Sequence, residues 1–221
     1  MKHNHPARAW LAQNGLEALW DAAHPWYKKP KRAYHNIKHA HYVASALFDL
    51  VPAPRPALLL AAIWHDAIYI PGAENKVNEL ASSQLLLVEA RNIGFSKGFF
   101  EDANEDALAI IETAANYIRR TDIKTHLGGK QHGDLAVLLD ADLAAMGTSS
   151  FSQFVKNQKN ILIENAGQFS EEGLEQCYYF LSNFKQNRAF IYHTDKGREL
   201  YEANAVENIR RLGVLYATST Y

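Results

Sequence analysis

Residues 55–69 read RPALLLAAIWHDAIY. Apolar residues run without a break from Ala57 to Trp64 and then meet His65 and Asp66. The run is too short to span a bilayer. It is also too uniformly apolar for a surface helix, so it is expected as a central helix of a folded core. A histidine beside an aspartate at the end of such a helix is unusual. An ionised carboxylate there is costly unless something positive pairs with it.

Helical periodicity extends outward from this stretch. Residues 6–22 and 37–50 carry apolar side chains at spacings of three and four, and segments 76–93 and 101–118 follow. The polar, glycine-containing stretch 119–132, RRTDIKTHLGGKQH, reads as a long loop. Then come 134–146, ended by Gly147, and 150–165, with Thr148 and Ser149 as capping candidates. Segment 171–186 starts after Ser170, and 195–212 starts after Thr194 and stops at Gly213. No run of alternating strands is present, so the expected fold class is all-α. No repeat or composition break divides the chain. The expectation is one helical domain over 1–221, with core motifs in 32–143 and C-terminal helices in 150–212.

The chain has 221 residues, 48% hydrophobic and 21% charged, which excludes a mostly disordered chain. A core of this size forms without a structural metal, so any metal is free to be catalytic. The net charge of −1 provides no global field for nucleic acid or an acidic membrane, and neither is expected as a partner. Cys177 is the only cysteine, so no intrachain disulfide and no cysteine-based zinc site can form. The opening MKHNHPARAW lacks the apolar stretch of a signal peptide. A cytoplasmic location is therefore expected, and homo-oligomerisation is left open.

Three elements carry the chemistry. The first is Tyr34-His35-Asn36-Ile37-Lys38-His39-Ala40-His41-Tyr42-Val43, in which His35 and His39 would share a face of a helix and His41 would point elsewhere. The second is Ala61-Ala62-Ile63-Trp64-His65-Asp66. The third is Leu139-Asp140-Ala141-Asp142-Leu143, whose aspartates, two apart on a helix, point in different directions. At most one of them should be a ligand; the other should support it by hydrogen bonding. Two histidine nitrogens and two carboxylate oxygens suit manganese, magnesium, iron, zinc, cobalt or nickel. Such an ion lowers the pKa of its water and polarises a phosphoryl oxygen. Gly128-Gly129 lacks the continuation of a phosphate loop.

In this order on an all-helical chain, these elements resemble the HD-domain metal-dependent phosphohydrolases. YHNIKHAHYV is also similar to a motif of the cyclic-nucleotide phosphodiesterases, distant relatives in that superfamily. The resemblance is greatest to a bacterial group of predicted HD phosphohydrolases, and it spans roughly residues 26 to 212. It rests on RxYHNxxH, the WHDxxY turn at Trp64–Tyr69, Asn78-Glu79-Leu80-Ala81-Ser82, LDADL and a stretch like Phe190-Ile191-Tyr192.

The resemblance implies an HD-type bundle with His39, His65, Asp66 and Asp142 as metal ligands and Asp140 behind Asp142. It implies that His35 protonates the leaving oxygen, a task that suits an imidazole titrating near neutrality. Asp66 would orient the attacking water. The implied reaction is hydrolysis of a phosphoester, of a nucleotide or related small phosphate, by metal-bound hydroxide. Arg32 is a candidate phosphate contact, and Glu79 either binds water or substrate or favours its helix N-terminus. Two departures weigh against a firmly held second ion. Tyr69 stands where phosphodiesterases have histidine, and Asn116 stands where two-metal relatives tend to have one.

Two other classes fit the scaffold. A di-iron oxygenase would need extra histidines, against which Tyr69 and Asn116 count. A non-catalytic metal or nucleotide sensor would be expected to have lost a ligand. His3, His5, His24, His126, His132 and His193 have no motif context and read as surface or packing residues.

Overall fold

The computed structural model describes residues 5–95, 105–185 and 188–219. Among these, every regular element is helical, which is the expected all-α class. None of the helices is long and apolar enough to cross a membrane. His3 and the start of the expected 101–118 segment lie outside the described residues. The chain packs as two compact units, one of residues 1–29 and 35–122, the other of 30–34 and 123–221.

The first unit holds α1 (Pro6–Ala12), α2 (Glu17–Ala23), α3 (Ile37–Leu50), α4 (Pro56–Trp64), α5 (Val77–Asn92) and α6 (Glu105–Ile118). Helix α4 is its axis. Every residue from Ala57 to Trp64 is buried, and the helix packs against all five of the others. Pro56 opens it at a position where a missing N–H costs nothing. Its C-terminal end is pinned by two side chains. The Trp64 indole N–H donates to the Leu19 carbonyl, and the Tyr27 hydroxyl donates to the Ile63 carbonyl.

The expected 6–22 helix is instead two helices. Gly15, at φ 67°, turns the chain in a left-handed conformation, and Leu16 is wholly buried beside it. Periodicity alone did not register this break, because both halves present apolar residues to the same core. Helix α5 closes over the turn that follows His65–Asp66. The Asn78 amide bonds both the N–H and the carbonyl of Ile70, and the Ser82 hydroxyl does the same for Ile68. The Asn78…Ser82 motif is thus a clamp on that turn.

The second unit holds α7 (Ile123–Leu127), α8 (Gly133–Leu143), α9 (Phe151–Ala166), α10 (Glu171–Ser182), α11 (Asp195–Gly197) and α12 (Ala203–Ser219). A π turn, Arg198–Glu202, joins the last two. Met146, Phe154, Leu181, Phe184, Tyr192 and Leu212 are central to its core. The expected loop 119–132 is interrupted by α7, too short for its period to be visible. Leu127 holds α7 by packing on that core.

Gly147 ends its helical run as expected and Gly213 does not, and both stand where a Cβ would have no room. The chain remains helical through Gly213 to Ser219, and a Cβ at Gly213 would lie 2.7 Å from the Tyr178 ring. Gly147 ends a 3₁₀ turn, Ala144–Gly147, and a Cβ there would lie 2.5 Å from Cβ and 2.8 Å from Cα of Tyr201. That backbone cannot withdraw without moving the π turn. Gly147→Ala is therefore expected to cost about 1–3 kcal/mol, as for other overpacked sites. Urea unfolding followed by circular dichroism measures it.

Candidate metal centre

In the first unit, α3 begins at Ile37, with the Asn36 side chain capping it by accepting the Lys38 N–H at 2.9 Å. His35 therefore precedes the helix, and its relation to His39 is not the shared helical face that the spacing suggests. Its ring lies edge-on to His39 at 5.7 Å between centroids. It also stacks on Tyr69 at 4.0 Å. Tyr69, expected only as a departure from a histidine, serves as the platform for His35.

His39 and His65 are buried, at 8% and 2% exposure. His65 is the C-terminal cap of α4, and its Nδ1–H donates to the Ala62 carbonyl at 2.9 Å. A neutral imidazole that donates from Nδ1 has its lone pair on Nε2. That Nε2 lies 3.2 Å from Nε2 of His39 and 3.0 Å from Oδ2 of Asp66. The same Oδ2 is 3.5 Å from His39 Nε2. Three polar side-chain atoms thus converge in a buried place. Burial pushes the Asp66 carboxyl up, but the imidazoles of His65, His35 and His39 outweigh it and hold the group well below the usual carboxylate range.

Glu79 stands in the first turn of α5, partly buried. Burial raises its carboxyl pKa, and the charges of Asp66 and Asp122 raise it further. Asn116 is exposed and accepts from the Arg119 guanidinium at 2.8 Å.

In the second unit, the two aspartates of α8 diverge as their spacing requires. Asp140 is wholly buried. It accepts from the backbone N–H of His193 at 2.6 Å, and from the N–H and hydroxyl of Thr194 at 2.8 and 2.6 Å. Thr194 in turn caps α11. Asp140 is therefore a staple between α8 and α11. Burial pushes its carboxyl up, and these hydrogen bonds pull it back only in part. Asp142, partly buried, faces His126, with Nε2 3.1 Å from Oδ2. Arg32 lies in the 30–34 segment, which is tied to α9 by the Tyr34 N–H donating to Glu164 at 3.0 Å.

The structure thus brings His35, His39, His65 and Asp66 together in the first unit. Among the residues read as packing, His5 caps α1 and His24 is buried under Trp20 and His41. His126, also read as a surface or packing residue, is buried and faces Asp142. It lies 16 positions before Asp142 in a polar stretch, where no helical spacing links the two.

His193 is 1% exposed, and its ring accepts the Gln131 N–H at 3.0 Å. Burial first, and then the nearby positive Arg188, hold its pKa down at about 3. In the unfolded chain it titrates at about 6.5. As pH falls, the unfolded chain takes the proton first. The stability that His193 contributes is complete above about 6.5 and is lost once the pH has fallen through about 3. The stability gap between the wild type and His193→Gln should be largest near neutrality and shrink steadily into acid. Denaturant titrations over that range test this, and parallel curves would contradict it.

No protein-family model, no curated protein and no solved structure matches this chain.

Proposed function

We propose that the chain is a metal-dependent phosphohydrolase of small phosphoesters. The observation that carries this reading is the convergence of His39 Nε2, His65 Nε2 and Asp66 Oδ2 within 3.0–3.5 Å of one another, with the His65 lone pair aimed inward by its bond to Ala62. Two imidazoles and a carboxylate suit a borderline divalent ion such as manganese, iron, zinc, cobalt or nickel, and magnesium where more oxygen ligands join. His39 and His65 of the first unit and Asp142 of the second have the donor chemistry to hold such an ion. We assign Asp142, with Asp66, to complete the ligand set.

When bound, the ion supplies Lewis acidity: it polarises a phosphoryl oxygen and lowers the pKa of a coordinated water. The chain's own residues do the rest. Asp66 orients the attacking water. The water oxygen bonds to phosphorus as the bond to the leaving oxygen breaks, and His35 gives that oxygen its proton. Tyr69 holds the His35 ring flat for this transfer. Arg32 pairs with phosphate oxygens, and Glu79, its carboxyl raised beside Asp66, contacts substrate or its water. The substrate class proposed is a nucleotide or related small organic phosphate.

The test pairs elemental analysis of protein purified without chelator with a phosphoester panel under several divalent metals. The wild type is expected to contain one divalent ion per chain and to hydrolyse at least one ester. His65→Ala and Asp66→Ala should each lose both the ion and turnover. Full activity in either variant would sink the mechanism. Bound metal without hydrolysis across the panel would favour a sensor, and activity confined to the iron form with oxygen consumed would favour an oxygenase.

A further inference from the structure

We propose that His126 is a positioning residue, the group that sets the orientation of the Asp142 carboxylate; this rests on the reading of Asp142 as a metal ligand. His126 sits in α7, only 3% exposed. Its Nε2 lies 3.1 Å from Oδ2 of Asp142. A carboxylate oxygen only accepts, so the hydrogen of this bond belongs to Nε2. The other ring nitrogen, Nδ1, is then a bare acceptor. It is buried and meets no hydrogen-bonding partner among the described residues.

The ring therefore has one polar anchor, and that anchor is Asp142. Leaving a buried acceptor unmet is unfavourable. The arrangement is intelligible if the other nitrogen has a task that requires this placement. One N–H occupies one of the roughly four acceptor directions of a carboxylate, so a bond to His126 fixes the carboxylate while leaving capacity for a cation. Asp140, two residues earlier on the same helix, shows the contrast. Both of its oxygens are spent on the turn at residues 193–194, which makes it a staple and not a ligand. The packing of Leu127 on the second unit's core holds α7, and with it the His126 ring, in place. A hydrogen-bonded partner of this kind typically changes metal affinity about ten- to a hundredfold.

The experiment measures manganese binding to the full chain by equilibrium dialysis, with bound metal counted by elemental analysis. The wild type is compared with His126→Leu, His126→Gln and His126→Asn. The leucine variant is expected to keep the wild-type stoichiometry and to bind about ten- to a hundredfold more weakly. Glutamine, whose amide N–H reaches nearly as far as Nε2, should recover most of the affinity. Asparagine, too short to reach Oδ2, should behave like leucine and replaces it if the leucine variant does not fold. Unchanged affinity in the leucine and asparagine variants would overturn the positioning role while leaving the metal reading intact. Loss of a bound ion in all three variants would make His126 a ligand and also overturn it. A wild type that binds no manganese and also holds no divalent ion when purified without chelator would overturn the metal reading itself, and this inference with it.

Discussion

Helix α4 has no polar side, and the first unit is organised by that constraint. A helix apolar all round is stable in water only when wrapped on every side. Five helices do the wrapping here, including α3, which carries His39, and α5, which clamps the following turn. The carbonyls of Ala62 and Ile63 near its end are met by His65 and Tyr27, both placed by the packing. His65 and Asp66 thus emerge from the most constrained part of the unit. Their aim is set by the core before any ligand is considered.

Electrostatics follow from that placement. A carboxylate at the end of a buried apolar helix is unfavourable by itself. Here three imidazoles gather around Asp66, and their influence exceeds the penalty of burial. The same crowding brings Nε2 of His39 and Nε2 of His65 to 3.2 Å, about the separation expected of atoms that share a small ion. The geometry suits cation capture, since desolvation is already accomplished by folding.

The second unit uses buried polar groups differently. Asp140 is spent wholly on the turn before α11, and Asn208 on the carbonyls of Met146 and Thr148. These bonds, with the close approach of Tyr201 to Gly147, hold α8, its 3₁₀ continuation and the π turn in register. Asp142 leaves the same helix in another direction and faces the buried His126. Two aspartates two positions apart thereby serve separate ends, as the helical rotation between them demands.

Much of this was legible in the one-dimensional pattern. The span 37–50, the uniformly apolar run ending in His65–Asp66 and the divergence of Asp140 from Asp142 depend on local periodicity, which the chain carries wherever it folds. The all-α class follows from the same source. Tertiary structure alone decided the continuation of α12 through Gly213, the platform role of Tyr69 and the pairing of His126 with Asp142. Each depends on which distant atoms arrive within a few ångströms, and no side-chain period encodes that. Sequence determined which residues had the right chemistry. Packing determined which of them had neighbours to use it on, because contact between residues remote in the chain is a property of the folded core.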